Sequence, residues 1–141
     1  MLALACDHRV LSADPMTRVG MTAVALGLPY PPSILQLLRY RLPRHALALV
    51  LLGAQRFSPT RALELGLVDE LAEDPFDLAH ARLKRLASHP ATAYAVTKRA
   101  LRADVLRVDP DEHDAFVTRG LPAWEPAAVL RRLHAIRKQQ A

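Results

Sequence analysis

Three consecutive residues near the start, Cys6, Asp7 and His8, place a thiol, a carboxylate and an imidazole in one short stretch. These types serve nucleophilic catalysis or metal ligation when their side chains converge. On an extended strand, however, Cys6 and His8 share a face while Asp7 points away. There is no second cysteine, and His80 and His89 are nine residues apart with no His-Glu-x-x-His pattern. The reading is therefore a small buried thiol with polar neighbours, and no metal site. A second chemical feature is the basic stripe Arg131, Arg132, Arg137 and Lys138 near the C-terminus. No aromatic interleaving or nucleic-acid motif accompanies it, so it reads as a solvated helix end that complements the helix dipole.

The elements that must position these groups follow from composition and punctuation. At 141 residues, with 51% hydrophobic and 23% charged residues, the chain suffices for one domain with a real core. Aromatics are only 5%, so that core must be built from Leu, Ala and Val, which suits packed helices. A single cysteine excludes an internal disulfide and points to a reducing, cytoplasmic setting. The Leu2–Cys6 apolar run is too short for a signal peptide, and Ala46–Leu52 is too short to cross a bilayer. The net charge of +5 is uneven: Leu63–Asp77 holds six acids and no base.

Leu2–Cys6 and His8–Leu11 read as short strand segments, and Met16–Pro32 as strand end and loop, broken by Gly20, Gly27 and Pro29. Helical signals begin at Ser33. Pro43 restarts a helix that Gly53 stops, and Ser58-Pro59 caps another that ends at Gly66. Leu67–Leu71 can form one short strand. Asp74-Pro75 opens a helix with Leu78, Ala79, Leu83 and Leu86 at helical spacing. The next helix, Ala91–Val105, is expected to turn Ala93, Val96, Ala100 and Leu101 inward and Lys98, Arg99 and Arg102 outward. Asp109-Pro110 with Glu112 resembles a capping box, and Glu125-Pro126 opens the last helix, where Trp124 can staple against Val129. The fold class is α/β: a short β element followed by about six helices.

Four stretches stand out in order: Leu2-Ala3-Leu4-Ala5-Cys6-Asp7-His8-Arg9-Val10, then Gly20–Leu28, Gly53–Asp69 and Ala95–Leu101. Together they resemble the enoyl-CoA hydratase/isomerase (crotonase) family: the second is similar to its G-x-x-E-x-x-x-G loop, the third to its G-x-x-x-S-x-x-x-A-x-x-x-G-L-V segment, and the fourth to its TK-x-A-L helix. They span residues 2–101 in the family's order. The resemblance implies the C-terminal part of a crotonase-like (ClpP/crotonase) fold. It divides the chain into a strand and pocket-loop segment (1–32), a helical layer (33–108) and C-terminal helices (109–141) with a possible oligomerisation role.

The implied activity acts on acyl-CoA thioesters. Two backbone N–H groups stabilise an enolate-like transition state, and one or two glutamates move the protons. Coenzyme A enters as part of the substrate, and no separate cofactor is implied. The implied substrate-binding residues are Gly20, Thr22, Ala23, Gly27 and Pro29. For the glycines the alternative is that they simply permit turns, and the Pro29–Pro32 stretch serves equally as pocket wall or rigid lead-in to a helix. Phe116, Trp124 and Leu130 are implied contacts of a homo-oligomer, trimer or hexamer, against the alternative of ordinary helix packing. Neither nucleic acid nor membrane is an expected partner.

The departures from the family pattern are chemical. Ala23 occupies the expected glutamate position, so no catalytic residue can be assigned. Met1 stands where hydratases often carry another glutamate, and no carboxylate lies between Asp14 and Glu64. Both oxyanion donors belong to segments preceding Leu2. Two expectations follow: a truncated family member, or a complete, non-catalytic interaction module. Apolar faces around Leu4, Leu37 and Leu49 would then lack cover, making the isolated chain oligomeric or aggregation-prone. Translating the DNA upstream of the Met1 codon in frame is expected to reveal a glycine run and an earlier oxyanion segment. A stop codon just upstream would contradict truncation.

Overall fold

The computed structural model describes residues 2–105 and 107–139, with side chains to Arg137. Met1 and the side chain of Lys138 lie outside the described residues. The elements are α1 (Leu2–Ala5), β1 (Val10–Ser12), β2 (Val19–Gly20), α2 (Pro32–Arg41), α3 (Arg44–Leu51), β3 (Arg56–Phe57), α4 (Pro59–Glu64), β4 (Glu70–Ala72), α5 (Pro75–Ala87), α6 (Ala91–Leu101), α7 (Pro110–Ala115) and α8 (Pro126–Gln139). A 3-10 turn covers Val24–Leu26, a π-helical turn Phe116–Gly120 and another 3-10 turn Leu121–Trp124.

The helix boundaries follow the caps. Ser58 accepts the Arg61 N–H at the start of α4, and Asp74 accepts the N–H groups of Phe76 and Asp77 at the start of α5. Asp109 accepts the Asp111 N–H at the start of α7, and Glu125 accepts from Ala127 and Ala128 at the start of α8. Each of these helices has proline in its first turn, where a missing N–H costs nothing.

Three expectations change. Leu2–Ala5 is a helical turn rather than a strand. Its four residues are too few for periodicity to separate helix from strand, and Arg41 settles the choice by donating to the Leu4 and Cys6 carbonyls at the turn's end. The first strand is Val10–Ser12 instead of His8–Leu11, and the strand placed at Leu67–Leu71 is Glu70–Ala72. Of the apolar faces around Leu4, Leu37 and Leu49, Leu4 is buried, and Leu37 and Leu49 are partly buried against the core.

That core lies among α1, α2, α3, α4 and the segment after it. Leu38 and Val50 are its largest fully buried side chains, joined by Leu42, Ala46, Ala62 and Leu65. Among the described residues the strands form two two-stranded sheets. β1 and β4 pair in parallel, Leu11 opposite Leu71, while β2 and β3 pair antiparallel, Val19 opposite Phe57.

The parallel pair is held in register by Arg9, which is buried although charged. Its Nε and Nη2 donate to the two Asp69 carboxylate oxygens at 2.8 and 2.7 Å, and its backbone N–H donates to one of them at 2.8 Å. Nη1 donates to the Gly66 carbonyl at 3.1 Å, just past α4. The Arg9 carbonyl in turn accepts the N–H groups of Asp69 and Glu70. A bidentate, hydrogen-bonded pair of this kind is destabilising to break because it leaves a buried charge unmatched.

Burial raises the Asp69 pKa, but the hydrogen bonds and charge of Arg9 outweigh it and leave the group below its ordinary 3.8. A depressed carboxylate stabilises the fold above its unfolded pKa and loses that contribution as pH falls through the folded value. Asp69→Asn is therefore expected to cost about 3 kcal/mol at neutral pH. Urea unfolding at a series of pH values checks this: the gap between wild type and variant should close below the ordinary carboxylate pKa, and a constant gap would sink the assignment.

Candidate functional site

The loop 20–30 is built from short-range constraints. Gly20 sits in β2 against β3 so closely that a Cβ there would overlap the Gln55 carbonyl oxygen. Its glycine is thus required by strand pairing. The Ala23 carbonyl accepts the N–H groups of Leu26 and Leu28 at 3.0 and 2.9 Å, closing the 3-10 turn, and Gly27 ends that turn with φ of 66°. The Tyr30 hydroxyl donates to the Met21 carbonyl at 3.0 Å and pins the far end. Burial pushes the Tyr30 pKa up, partly offset by the backbone at Ala23. A phenol held protonated in this way is a hydrogen-bond donor and not a base.

The C-terminal elements fold back over this loop. Trp124 Nε1 donates to the Pro29 carbonyl at 3.0 Å, and Arg132 Nη1 donates to the Ala123 carbonyl at 3.1 Å and approaches the Gly27 carbonyl at 3.5 Å. A Cβ at Gly27 would lie 3.2 Å from the Arg132 guanidinium carbon. Thr22 and Ala23 are half-buried, and Gly27 and Pro29 are exposed. Trp124 is thus placed on the loop, where the stapling expectation had it facing Val129. Phe116 lies over Gly120 within the chain, and Leu130 is exposed.

A second cluster surrounds Asp7. Tyr94, Lys98 and Arg102 follow one another at i, i+4 and i+8 on one face of α6 and its end. All three donate to the Asp7 carboxylate, Tyr94 at 2.6 Å and Lys98 and Arg102 at 2.5 Å each. Arg102 also reaches the Ala5 carbonyl at 3.2 Å. Burial raises the Asp7 pKa, and the donors from Lys98 and Tyr94 with the charges of Lys98 and Arg102 outweigh it, so the carboxylate titrates low. Beside it, His8 Nε2 stands 2.7 Å from Glu70 Oε1, and Arg82 grips Glu70 with two donors at 2.6 and 2.7 Å. Arg82 holds Glu70 below the usual carboxylate range, so Glu70 is an ion-pair partner and a weak base. Among the described residues, no three His, Cys, Asp or Glu side chains gather closely enough to hold a metal ion.

The orientation of α6 reverses the expectation except at Arg99, which is exposed as expected. Lys98 and Arg102 are half-buried and face Asp7, while Ala93, Val96, Ala100 and Leu101 are exposed. The periodicity located the stripes correctly, but a charged stripe with a carboxylate to meet outcompetes an apolar stripe with nothing to cover it.

A family model described as enoyl-CoA hydratase/isomerase matches residues 1–117. The chain belongs to this family. It is 38% identical over 106 residues to the fatty acid oxidation complex subunit alpha of Aliivibrio fischeri, covering 72% of this chain and 13% of that protein. It is 30% identical over 110 residues to mouse mitochondrial enoyl-CoA delta isomerase 1, covering 72% of this chain and 36% of that one. The crystal structure of an enoyl-CoA hydratase from Mycobacterium marinum superposes with a TM-score of 0.73 and 26% identity, over 84% of this chain and 53% of that one. The fold is the crotonase fold, and this chain spans about half of that hydratase structure and a smaller share of the two relatives.

Two structural features of this family member, the Arg9–Asp69 pair and the gathering of Tyr94, Lys98 and Arg102 on Asp7, were not anticipated from sequence. The signals were present: Asp7 and Arg9 lie in the first family-like stretch, Asp69 ends the third, and Lys98 belongs to the fourth. Replacing Asp7 with Asn should leave Lys98 and Arg102 without a charge partner and destabilise α6 by about 2 kcal/mol. Amide hydrogen exchange is expected to speed up across α6 and stay unchanged in α3. Uniform acceleration would show that Asp7 does not specifically anchor this helix.

Proposed function

We propose that this chain acts on acyl-CoA thioesters as part of an enoyl-CoA hydratase/isomerase, supplying the acyl-binding loop and the elements that fold over it. The carrying observation is the family match over residues 1–117 together with the loop 20–30 lying beneath Trp124 and Arg132. In the proposed reaction the thioester oxygen gathers negative charge and is stabilised by backbone N–H donors. Those donors belong to the preceding half of the family pattern. This chain's own groups would hold the acyl portion against Gly20, Thr22, Ala23, Gly27 and Pro29 and keep water away from it. Coenzyme A is part of the substrate, and a homo-oligomer with contacts at Phe116, Trp124 and Leu130 is part of the proposal.

Ala23 shapes the chemistry of this reading. A methyl group neither gives nor takes a proton, and its backbone carbonyl is committed to Leu26 and Leu28. We therefore propose that the chain alone neither hydrates nor isomerises enoyl-CoA, and that any proton transfer in the whole enzyme comes from elsewhere. The same observation favours a second reading, a helical interaction module derived from the family that binds no thioester.

Calorimetric titration with butyryl-CoA, a saturated thioester that cannot be hydrated, separates the two. Saturable binding is expected, weakened about tenfold in Arg132→Ala as the loop loses its cover, equivalent to about 1.4 kcal/mol. Absence of binding up to roughly 1 mM, an affinity worth about 4 kcal/mol, would reject the acyl-CoA reading in favour of the interaction module. Measurable hydration of crotonyl-CoA by the chain alone would overturn the assignment of Ala23 as chemically silent.

A further inference from the structure

Between the C-terminal end of α2 and the face of α6 that carries Tyr94 and Lys98 lies a cleft of about 500 Å3. Arg41, Lys98 and Arg102 line it, and Asp7 is its one acidic group. Lys98 and Arg102 share that carboxylate. Arg41 pairs with no carboxylate among the described residues and donates instead to the Leu4 and Cys6 carbonyls. Three cations against one carboxylate leave two positive charges unmatched in the lining. Gathering like charges in this way costs Coulomb energy that an arriving anion recovers.

The cations also have donors to spare. An ammonium and a guanidinium carry more N–H groups than the internal contacts use. Lys98 spends one on Asp7, Arg102 uses Nη2 on Asp7 and the Ala5 carbonyl, and Arg41 uses Nε and Nη2. Their remaining donors have no partner among the described residues. Two of the three cations are braced by aromatic faces: Arg41 Cζ stands 5.5 Å from the Tyr40 ring centre, and Lys98 Nζ 5.6 Å from that of Tyr94. The charge is therefore held in place before any ligand arrives.

We propose that this cleft binds an organic phosphate monoester. At neutral pH a phosphate group carries about two negative charges and three acceptor oxygens. That matches both the charge excess and the arrival of the cations from two different helices. A carboxylate brings a single charge on a planar group and meets only part of this lining. Tyr40 and Leu101, both exposed, give the organic portion an apolar rim. The cleft is separate from the loop 20–30: Pro32 starts α2 next to that loop and Arg41 ends it, ten residues or about 15 Å further along the helix axis. The inference goes beyond the acyl-CoA reading, and its test contains no thioester, so the two can fail separately.

Phenyl phosphate is the probe, titrated calorimetrically into the 141-residue chain at constant ionic strength. Saturable one-to-one binding is expected, displaced by inorganic phosphate and about tenfold weaker for benzoate. Lys98→Gln should weaken it about tenfold, since one of the three cations is lost. Leu101→Glu replaces a side chain that is already exposed and makes no hydrogen bond. It should abolish binding with the helical circular dichroism unchanged. Arg99→Gln removes the same charge from an exposed site on α6 outside the cleft and should leave the affinity as it was. Absence of saturation up to roughly 1 mM would overturn the proposal. Equal affinity for benzoate, or binding indifferent to Leu101→Glu, would do the same. Equal losses in Arg99→Gln and Lys98→Gln would reduce the effect to general surface charge and also reject the site.

Discussion

The Arg9 guanidinium ties together two stretches that are sixty residues apart, and the remaining architecture is arranged around that tie. One end fixes the lead-in to β1. The other fixes the residue after α4, where the carbonyl of Gly66 and both oxygens of Asp69 converge on the same side chain. A planar guanidinium with donors in a fixed fork can satisfy all three acceptors at once, which a lysine ammonium on a flexible stem cannot do with the same precision of register. Because the Arg9 backbone is also bonded to Asp69 and Glu70, side chain and main chain impose one alignment. The parallel pairing of Leu11 with Leu71 follows from it.

Asp7, two residues before Arg9, performs the equivalent task for α6. The chain therefore uses charge beside partial apolar burial to attach α5 and α6: Glu70 holds Arg82 on α5, where Leu78 and Leu86 are half-buried, and Asp7 holds Tyr94, Lys98 and Arg102. Apolar packing is concentrated in the first half, around Leu38 and Val50. The consequence is a molecule with two kinds of surface. One side is closed and cored, and the other is polar-anchored with its apolar stripes open.

The loop 20–30 shows how one backbone serves several constraints. Gly20 is demanded by the approach of β3 and Gly27 by its positive φ beneath Arg132, so neither glycine need be explained by a ligand. Ala23 lies between them with its carbonyl spent on the turn. The loop geometry is thus maintained by local hydrogen bonds that are indifferent to the side chain at position 23.

Sequence alone determined what is local. Proline and Ser or Asp caps set the helix starts at Pro59, Pro75 and Pro110, because a cap satisfies its own orphan N–H groups within a few residues. The family assignment rested on four ordered stretches, and the absence of a carboxylate between Asp14 and Glu64 was plain from residue types. Tertiary structure decided what depends on distant partners. Whether Leu2–Ala5 is strand or helix, which face of α6 turns inward, and what Trp124 touches were fixed by Arg41, Asp7 and Pro29, which lie far away in sequence. A periodic pattern reports that two faces differ; only the neighbour that arrives from elsewhere in the chain decides which of them is buried.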